Sequence, residues 1–305
     1  MAGRSAIKGK YLFPALVILP LLAWYVLFMY YPAVYSLWAS LHLWVADNPA
    51  KSTWVGLKNY VDLFTIDPRF QKSLANTFIY VLTKTAIVIP AGLVIALLLE
   101  HVRSGTRLYI FAVFLPALCS ATAVGILFTY LFQPSFGLFN ALLKALGLPI
   151  QPFLTDAKQA IFCVIATDAW QYVGFTTLIF FTGLMNIPYH FVEAAKVDGA
   201  RAWRTFFSIK LPIMGHTLAF LIVYTVINAF QFFDFVFVMT QSGGGTGGAS
   251  GGPGYSSSVL SLMVYNEGML RPNVDKASAV AAIIFVIVLV LTIVQYRILR
   301  PKWEY

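Results

Sequence analysis

"HFVEAAKVDGARAWRTFFSIKLP", residues 190–212, stands between two long apolar runs and resembles neither. It carries Glu193, Lys196, Asp198, Arg201, Arg204 and Lys210, with Ala194, Ala195, Gly199, Ala200 and Ala202 threaded between the charges. Pro188 precedes it and Pro212 closes it. Proline removes a backbone donor and crowds the preceding turn. The pattern therefore predicts a short helix over 189–197, a turn at Asp198-Gly199, and a second helix over 200–210 that Pro212 interrupts. Glycine at the turn can take positive φ without a Cβ clash. Two short helices meeting at an Asp-Gly corner form a polar knob, with Ala194, Ala195 and Ala200 leaving its backbone open to close approach.

The surroundings of the knob set its context. Of 305 residues, 59% are hydrophobic and 11% charged, with a mean hydropathy of +0.77. Soluble domains carry about 25% charged residues, so this chain cannot cover a water-facing surface. Six apolar segments come close to the roughly 20 residues that cross a bilayer: 11–31, 74–99, 109–132, 160–185, 214–239 and 277–299. They read as helices, because backbone groups in lipid must pair within their own segment or in a closed barrel. Barrel strands alternate over about ten residues, and these runs do not. The expected fold class is an all-α, polytopic membrane protein with six transmembrane helices. Arg4, Lys8 and Lys10 precede the first run. At 21 residues that run exceeds the roughly 7–15 of a signal peptide, so it reads as a retained span.

Lys and Arg orient the chain. With the N-terminus in the cytoplasm, the inner segments hold 12 basic residues and the outer ones 8. The inner segments are about half as long in total, so basic density is nearly threefold higher inside, the bias expected of cytoplasmic loops. Both termini and the knob are then cytoplasmic. The outer connections are 32–73, 133–159 and 240–276, and "FGLFNALLKALGL" (136–148) reads as a short amphipathic helix on that surface. The net charge of +9 is accounted for by orientation and calls for no nucleic acid.

Several chemistries are excluded. Cys119 and Cys163 lie in apolar runs and read as small buried hydrophobes. The four histidines are scattered, and no metal-ligand spacing occurs. "GGGTGG" (243–248) matches a dinucleotide fingerprint but lacks the strand before and helix after that such a site needs. The glycines of 242–254 read instead as a flexible outer loop. There is no phosphate-binding G-x-x-x-x-G-K-[ST] and no nucleophile arrangement. No cofactor, metal or catalytic residue is assigned, and any ATP hydrolysis belongs to another chain.

Polar residues inside the spans are the remaining signal. Asp168, Gln171, Tyr172 and Phe175 follow i, i+3, i+4, i+7 and share one helical face. Thr225, Asn228, Gln231 and Asp234 make a second stripe at i, i+3, i+6, i+9. Such groups either face a water-filled path or bond helices together. Acceptors, amides and rings suit a polyhydroxylated solute. Lys84 lies about 15 Å into its span and Asp168 about 12 Å from the same side. The two either pair, or Lys84 extends outward along lipid. The knob likewise has two readings: an amphipathic loop resting Trp203 and Phe206 on lipid, or a docking element for a cytoplasmic partner.

"EAAKVDGARAWRTFFSIKLP" (193–212) resembles the E-A-A-x-x-D-G-A…I-x-L-P signature of membrane subunits of ATP-binding-cassette importers. Glu193, Ala194, Ala195, Asp198, Gly199, Ala200, Ile209, Leu211 and Pro212 all match. The six spans, "LFQPSFG" (131–137), "GLMNIP" (183–188) and the glycine-rich segment after span five resemble the carbohydrate-uptake branch, maltose- and glycerol-phosphate-type permeases. The outer Gly/Ser loop is longer than that family's usual one, and no large outer insertion follows the early spans. The resemblance implies a type I importer permease fold and a single permease domain over 1–305, in a bacterial or archaeal cell membrane. It implies that 189–211 is the coupling loop, seated in an ATPase groove, and that spans four and five line the solute path. It also implies the partners: a second permease subunit, an ATPase dimer, an external solute-binding protein, a sugar-like solute and membrane lipid. The competing reading is a secondary transporter or channel driven by an ion gradient; the polar knob and the lack of inverted-repeat halves weigh against it.

Overall fold

A backbone amide in lipid has no water to pair with, so the long apolar runs fold as helices. The computed structural model describes residues 16–45, 51–102, 104–241 and 250–299. Its helices are α1 (Leu16–Ala39), α2 (Lys58–Thr65), α3 (Pro68–Glu100), α4 (Thr106–Leu118), α5 (Ala121–Leu131), α6 (Leu138–Ala145) and α7 (Ala160–Met185). There follow α8 (Tyr189–Val197), α9 (Ala202–Ile213), α10 (Gly215–Gln231), α11 (Asp234–Thr240), α12 (Leu260–Tyr265) and α13 (Val274–Leu299). A two-stranded antiparallel ribbon pairs His42 with Trp54 and Leu43 with Thr53. Helices α1, α3 and α13 are each long and apolar enough to cross a membrane; the bent pairs α4–α5, α7–α8 and α9–α10 bring the crossings to six if each pair is one span.

Most span boundaries shift, each for a local reason. Residues 11–15 of the first span lie outside the described residues; the helix runs on to Ala39, and a π turn at Val26–Tyr30 makes room for Pro32. The second span begins at Pro68 rather than 74, capped by Asp67, whose carboxylate accepts from the Arg69 amide at 3.0 Å. The third span is not one helix. It ends at Leu118 just past Pro116, Cys119 and Ser120 are extended, and α5 leaves at 90°. The fifth, read as 214–239, breaks at Phe232–Phe233, where the two rings pack in different directions. The last begins at Val274.

Close approach of backbones fixes the centre. A Cβ on Gly174 of α7 would lie 2.2 Å from the Val113 carbonyl of α4, and one on Gly92 of α3 would lie 2.4 Å from Thr176 Oγ1 of α7. Small residues let membrane helices pack at this range. Three buried clusters run through the bundle: one around Tyr80, Val164, Phe230 and Phe235, one around Phe70, Leu260 and Val280, and one around Ile89, Phe180 and Leu221. Outward-facing side chains such as Leu82, Leu98, Leu115 and Phe285 are apolar and exposed, as a lipid-facing surface requires. Helix α6 lies at the bundle end opposite the knob, anchored by Asn140, which bonds the carbonyls of Pro134 and Gln151 and the Gln151 amide.

The segment after the fifth span departs most from a flexible loop. Residues 242–249, which include the "GGGTGG" match, lie outside the described residues. From Ser250 to Glu267 the chain is largely buried: Gly251 donates to Thr240 Oγ1 at 2.8 Å, and Ser256, Ser257, Ser258, Leu260, Asn266 and Glu267 are all interior. A polar stripe on α3 holds it in place. Lys72 bonds the Gly254 carbonyl, Ser73 the Ser258 hydroxyl, Asn76 the Ser258 carbonyl, and Thr77 accepts from the Leu260 amide, all at 2.8–2.9 Å. Arg69 and Arg271 both pair with the buried Glu267, at 3.1 and 2.6 Å, and Asn273 bonds its other oxygen at 3.0 Å. Burial alone would raise the Asp67 carboxyl, but the bonds and charge of Arg69 outweigh it and hold it below its ordinary value.

Candidate functional site

Lys84 and Asp168 meet at the bundle centre. The Lys84 ammonium stands 2.6 Å from Asp168 Oδ2, with side chains 1% and 4% exposed. Tyr80, one turn before Lys84, donates its hydroxyl to the same carboxylate oxygen at 2.5 Å. Two rings enclose the cation: Tyr172 at 4.4 Å and Phe232 at 5.0 Å from Nζ. Phe232 in turn stacks on Tyr80, 5.3 Å between centroids. A buried charge in lipid needs such a partner set, and here α3, α7 and the break after α10 each supply part of it. The i, i+4 spacing of Tyr80 and Lys84 was the available signal for Tyr80; nothing in the sequence pointed to Phe232.

The other stripe residues differ in what they touch. The Gln171 amide donates to the Cys119 carbonyl at 2.8 Å. It thereby satisfies a carbonyl that the α4–α5 break leaves without a helical partner. The hydroxyls of Tyr172 and Thr225 are buried and face each other within interaction range, and neither bonds any other group. Phe175 packs on Tyr172 and Tyr224, both at 5.5 Å. Asn228 is half-buried beside this set and Gln231 is exposed. The second stripe does not continue to Asp234: the break at Phe232–Phe233 puts that exposed carboxylate in the first turn of α11, where the helix dipole favours it. Gln231 instead lines a cavity of about 640 Å³ with Ser36, Phe233, Ser261, Tyr265 and Ser278.

The knob is built as a corner. Helix α7 ends at Met185, Pro188 is extended, and α8 leaves at 70°. At the far end of α8, Gly199 takes φ +73°, its amide bonds the Lys196 carbonyl, and the Ala200 amide bonds the Ala195 carbonyl at 2.9 Å. This paired closure is the Schellman motif, which needs a left-handed residue at its centre. Glu193, Ala194, Asp198 and Gly199 are exposed. Ala195 is not open as its small size suggested: it is 6% exposed because it faces its own chain, and Ala200 is half-buried. Nor does Pro212 interrupt the second helix. It sits in the first turn after a π turn at Phe206–Lys210, and the break comes at Met214, with a 69° bend into α10. A cavity of about 900 Å³ separates the knob from the bundle, lined by Leu97, Glu100, Leu184, Tyr189, Trp203 and Lys210. Among the described residues, no group of three or more His, Cys, Asp or Glu could hold a metal.

Comparison with known proteins agrees with this architecture. The family described as "Binding-protein-dependent transport system inner membrane component" matches residues 88–305. The "Probable ABC transporter permease protein YurN" of Bacillus subtilis is 32% identical over 99% of this chain and 98% of its own length. The "sn-glycerol-3-phosphate transport system permease protein UgpA" of Yersinia pseudotuberculosis is 30% identical over 96% of each. A chain from a bacterial ABC transporter involved in the import of the acidic polysaccharide alginate superposes with a TM-score of 0.83 at 25% identity, covering 98% of this chain and 99% of that one. A second structure of the bacterial alginate ABC transporter, in complex with alginate pentasaccharide-bound periplasmic protein, gives 0.84 at 24%. An ion-gradient transporter has no support in these matches. The chain therefore belongs to the inner-membrane components of binding-protein-dependent transport systems: it is a multi-pass permease subunit of an ABC importer, and not an enzyme.

Proposed function

We propose that this chain, paired with a second and different permease subunit, admits a polyhydroxylated, sugar-like solute handed over by a solute-binding protein and driven by a separate ATPase dimer. The knob and both termini face the cytoplasm, in keeping with the basic bias of those segments. Residues 189–211 dock on an ATPase subunit through the exposed Glu193, Ala194, Asp198 and Gly199, with Ala195 and Ala200 shaping the corner from within. Closure of the ATPase dimer then shifts α7 and α10, which join the knob directly, and access to the path changes sides. Every residue from Leu16 to Tyr35 of α1 is exposed on this chain alone; lipid and the second permease cover it in the assembly.

One observation carries the solute class. Tyr172 and Thr225 turn their hydroxyls toward each other next to the Phe175 ring, with Asn228 one turn on from Thr225. Rings and small polar groups side by side suit a sugar, which carries hydroxyls for the one and an apolar face for the other. The names of the relatives, for sn-glycerol-3-phosphate and alginate, belong to the same polyhydroxylated class. Both of those solutes are anionic. Here Asp168 already neutralises Lys84, and the exposed Asp234 carboxylate stands near Tyr80, so the charges at this site disfavour an anionic solute. The test is to purify the complex with its binding protein and identify the cargo by mass spectrometry. A neutral oligosaccharide or polyol is expected. An amino acid, peptide or metal would overturn the class, and a phosphorylated or acidic sugar would overturn the charge assignment.

A further inference from the structure

Lys210 and Glu100 are 110 residues apart in sequence, yet the ammonium lies 2.5 and 2.7 Å from the two carboxylate oxygens. The side chains are 13% and 22% exposed, and a two-pronged contact between opposite charges is among the stronger polar bonds. Its position gives it meaning. Glu100 is the last residue of α3, and Lys210 lies near the end of α9, the arm that returns the chain from the knob to the membrane. The arm is otherwise loosely held. Trp203 and Phe207 are exposed, and the 900 Å³ cavity lies between the arm and the ends of α3 and α7. At Met214 the helix is interrupted with a 69° bend, so the arm has a hinge at its membrane end. Among the described residues, this is the ion pair that ties the arm to the bundle.

Helix α3 is in turn fastened to α7, by Lys84 and Tyr80 on Asp168 and by the contact of Gly92 with Thr176. Over 33 residues, about 50 Å at about 1.5 Å per residue, it runs from the knob side to the Arg69–Glu267 pair and the buried segment at the opposite end. The knob thus has two attachments to one body: a covalent one through Pro188 to α7, and an ionic one through the arm to α3.

We propose that Glu100 and Lys210 are positioning residues for energy coupling: their ion pair locks the arm to α3, so that a displaced knob carries α3 and α7 with it. This rests on residues 189–211 being the coupling segment. With the pair broken, the arm pivots at Met214 and takes up the motion itself.

The experiment uses the full complex, permeases and ATPases together, with Cys119 and Cys163 replaced by serine. Spin labels are placed at Ala202→Cys on the arm and Ala75→Cys on α3, both exposed. Pulsed electron resonance reads their separation without nucleotide and with MgATP and orthovanadate, so no solute is needed. With the pair intact the separation should be the same in both states. In Lys210→Gln and in Glu100→Gln it should shift with nucleotide by about 2–5 Å, the range of helix displacements in switching proteins. The exchanged pair, Glu100→Lys with Lys210→Glu, should restore the fixed distance, which a merely misfolded variant could not do. A separation that changes with nucleotide when the pair is intact, or stays fixed in both single variants, overturns the proposal. Retention of the chain by tagged ATPase tests the underlying reading separately: Gly199→Pro should abolish it. If it does not, the coupling assignment of 189–211 fails, whatever the distances show.

Discussion

Replacing Lys84 with methionine removes the cation from a site where its side chain is 1% exposed and its partner 4%. Deleting one member of a buried ion pair costs about 3–5 kcal/mol, mostly from the charge left behind. Tyr80 stays bonded to Asp168, and a hydrogen bond to a charged group retains about 1.5–3 kcal/mol. The loss should therefore fall near the lower bound, about 3 kcal/mol. Asp168→Asn alone strands the lysine between two rings and should cost a similar amount. The double variant leaves no charge, and the asparagine can still accept from Tyr80, so its cost should drop to about 1 kcal/mol. In a chain of this size about 1 kcal/mol moves the unfolding midpoint by roughly 2 °C. Each single change should then lower it by about 6 °C and the pair by about 2 °C. Thermal unfolding of the purified complex in detergent, followed by tryptophan fluorescence, measures this. Additive losses, or a Lys84→Met protein as stable as its parent, would refute the pairing as the reason the lysine is tolerated in the bundle.

Three further outcomes are expected. Gly174→Ala places a methyl group 2.2 Å from the Val113 carbonyl; backbone cannot yield as a side chain does, so destabilisation of about 3 kcal/mol should appear in the same unfolding assay, and an unchanged midpoint would contradict the packing. Glu267→Gln leaves Arg69 and Arg271 without their shared carboxylate; it should cost about 1–3 kcal/mol and speed proteolysis within 250–270, whereas parental resistance would show that the pair does not hold that segment. For topology, in a background lacking both native cysteines, Lys144→Cys should react with an impermeant maleimide on intact cells and Ala202→Cys should not. Ser250 is too buried to report on this, and reversed labelling would invert the assigned orientation.

Hydrophobic runs and prolines are local properties, and what they govern was legible without a structure. The crossing segments follow from apolar length, because lipid admits little but helix. The corner at Asp198-Gly199 follows from the one residue type that takes φ +73° without strain. The depth argument for Lys84 and Asp168 worked because rise per residue is constant along a helix. The misses concern relations between segments. The stripe Arg69, Lys72, Ser73, Asn76, Thr77 has helical spacing, but its meaning depends on the Ser/Gly segment that folds back on it from more than 180 residues away. Gln171 stands in a stripe that looked open, yet its amide is spent on the Cys119 carbonyl, which needs a partner only because α4 and α5 separate at 90°. Ala195 is as small as Ala194, and only the packing decides which of them faces out. Sequence alone determined that the chain is a bundle of membrane helices with a charged corner between two of them. Tertiary structure decided which polar groups are consumed in holding the bundle and which are not, because a hydrogen bond depends on where its partner lies in space and not on its place in the chain.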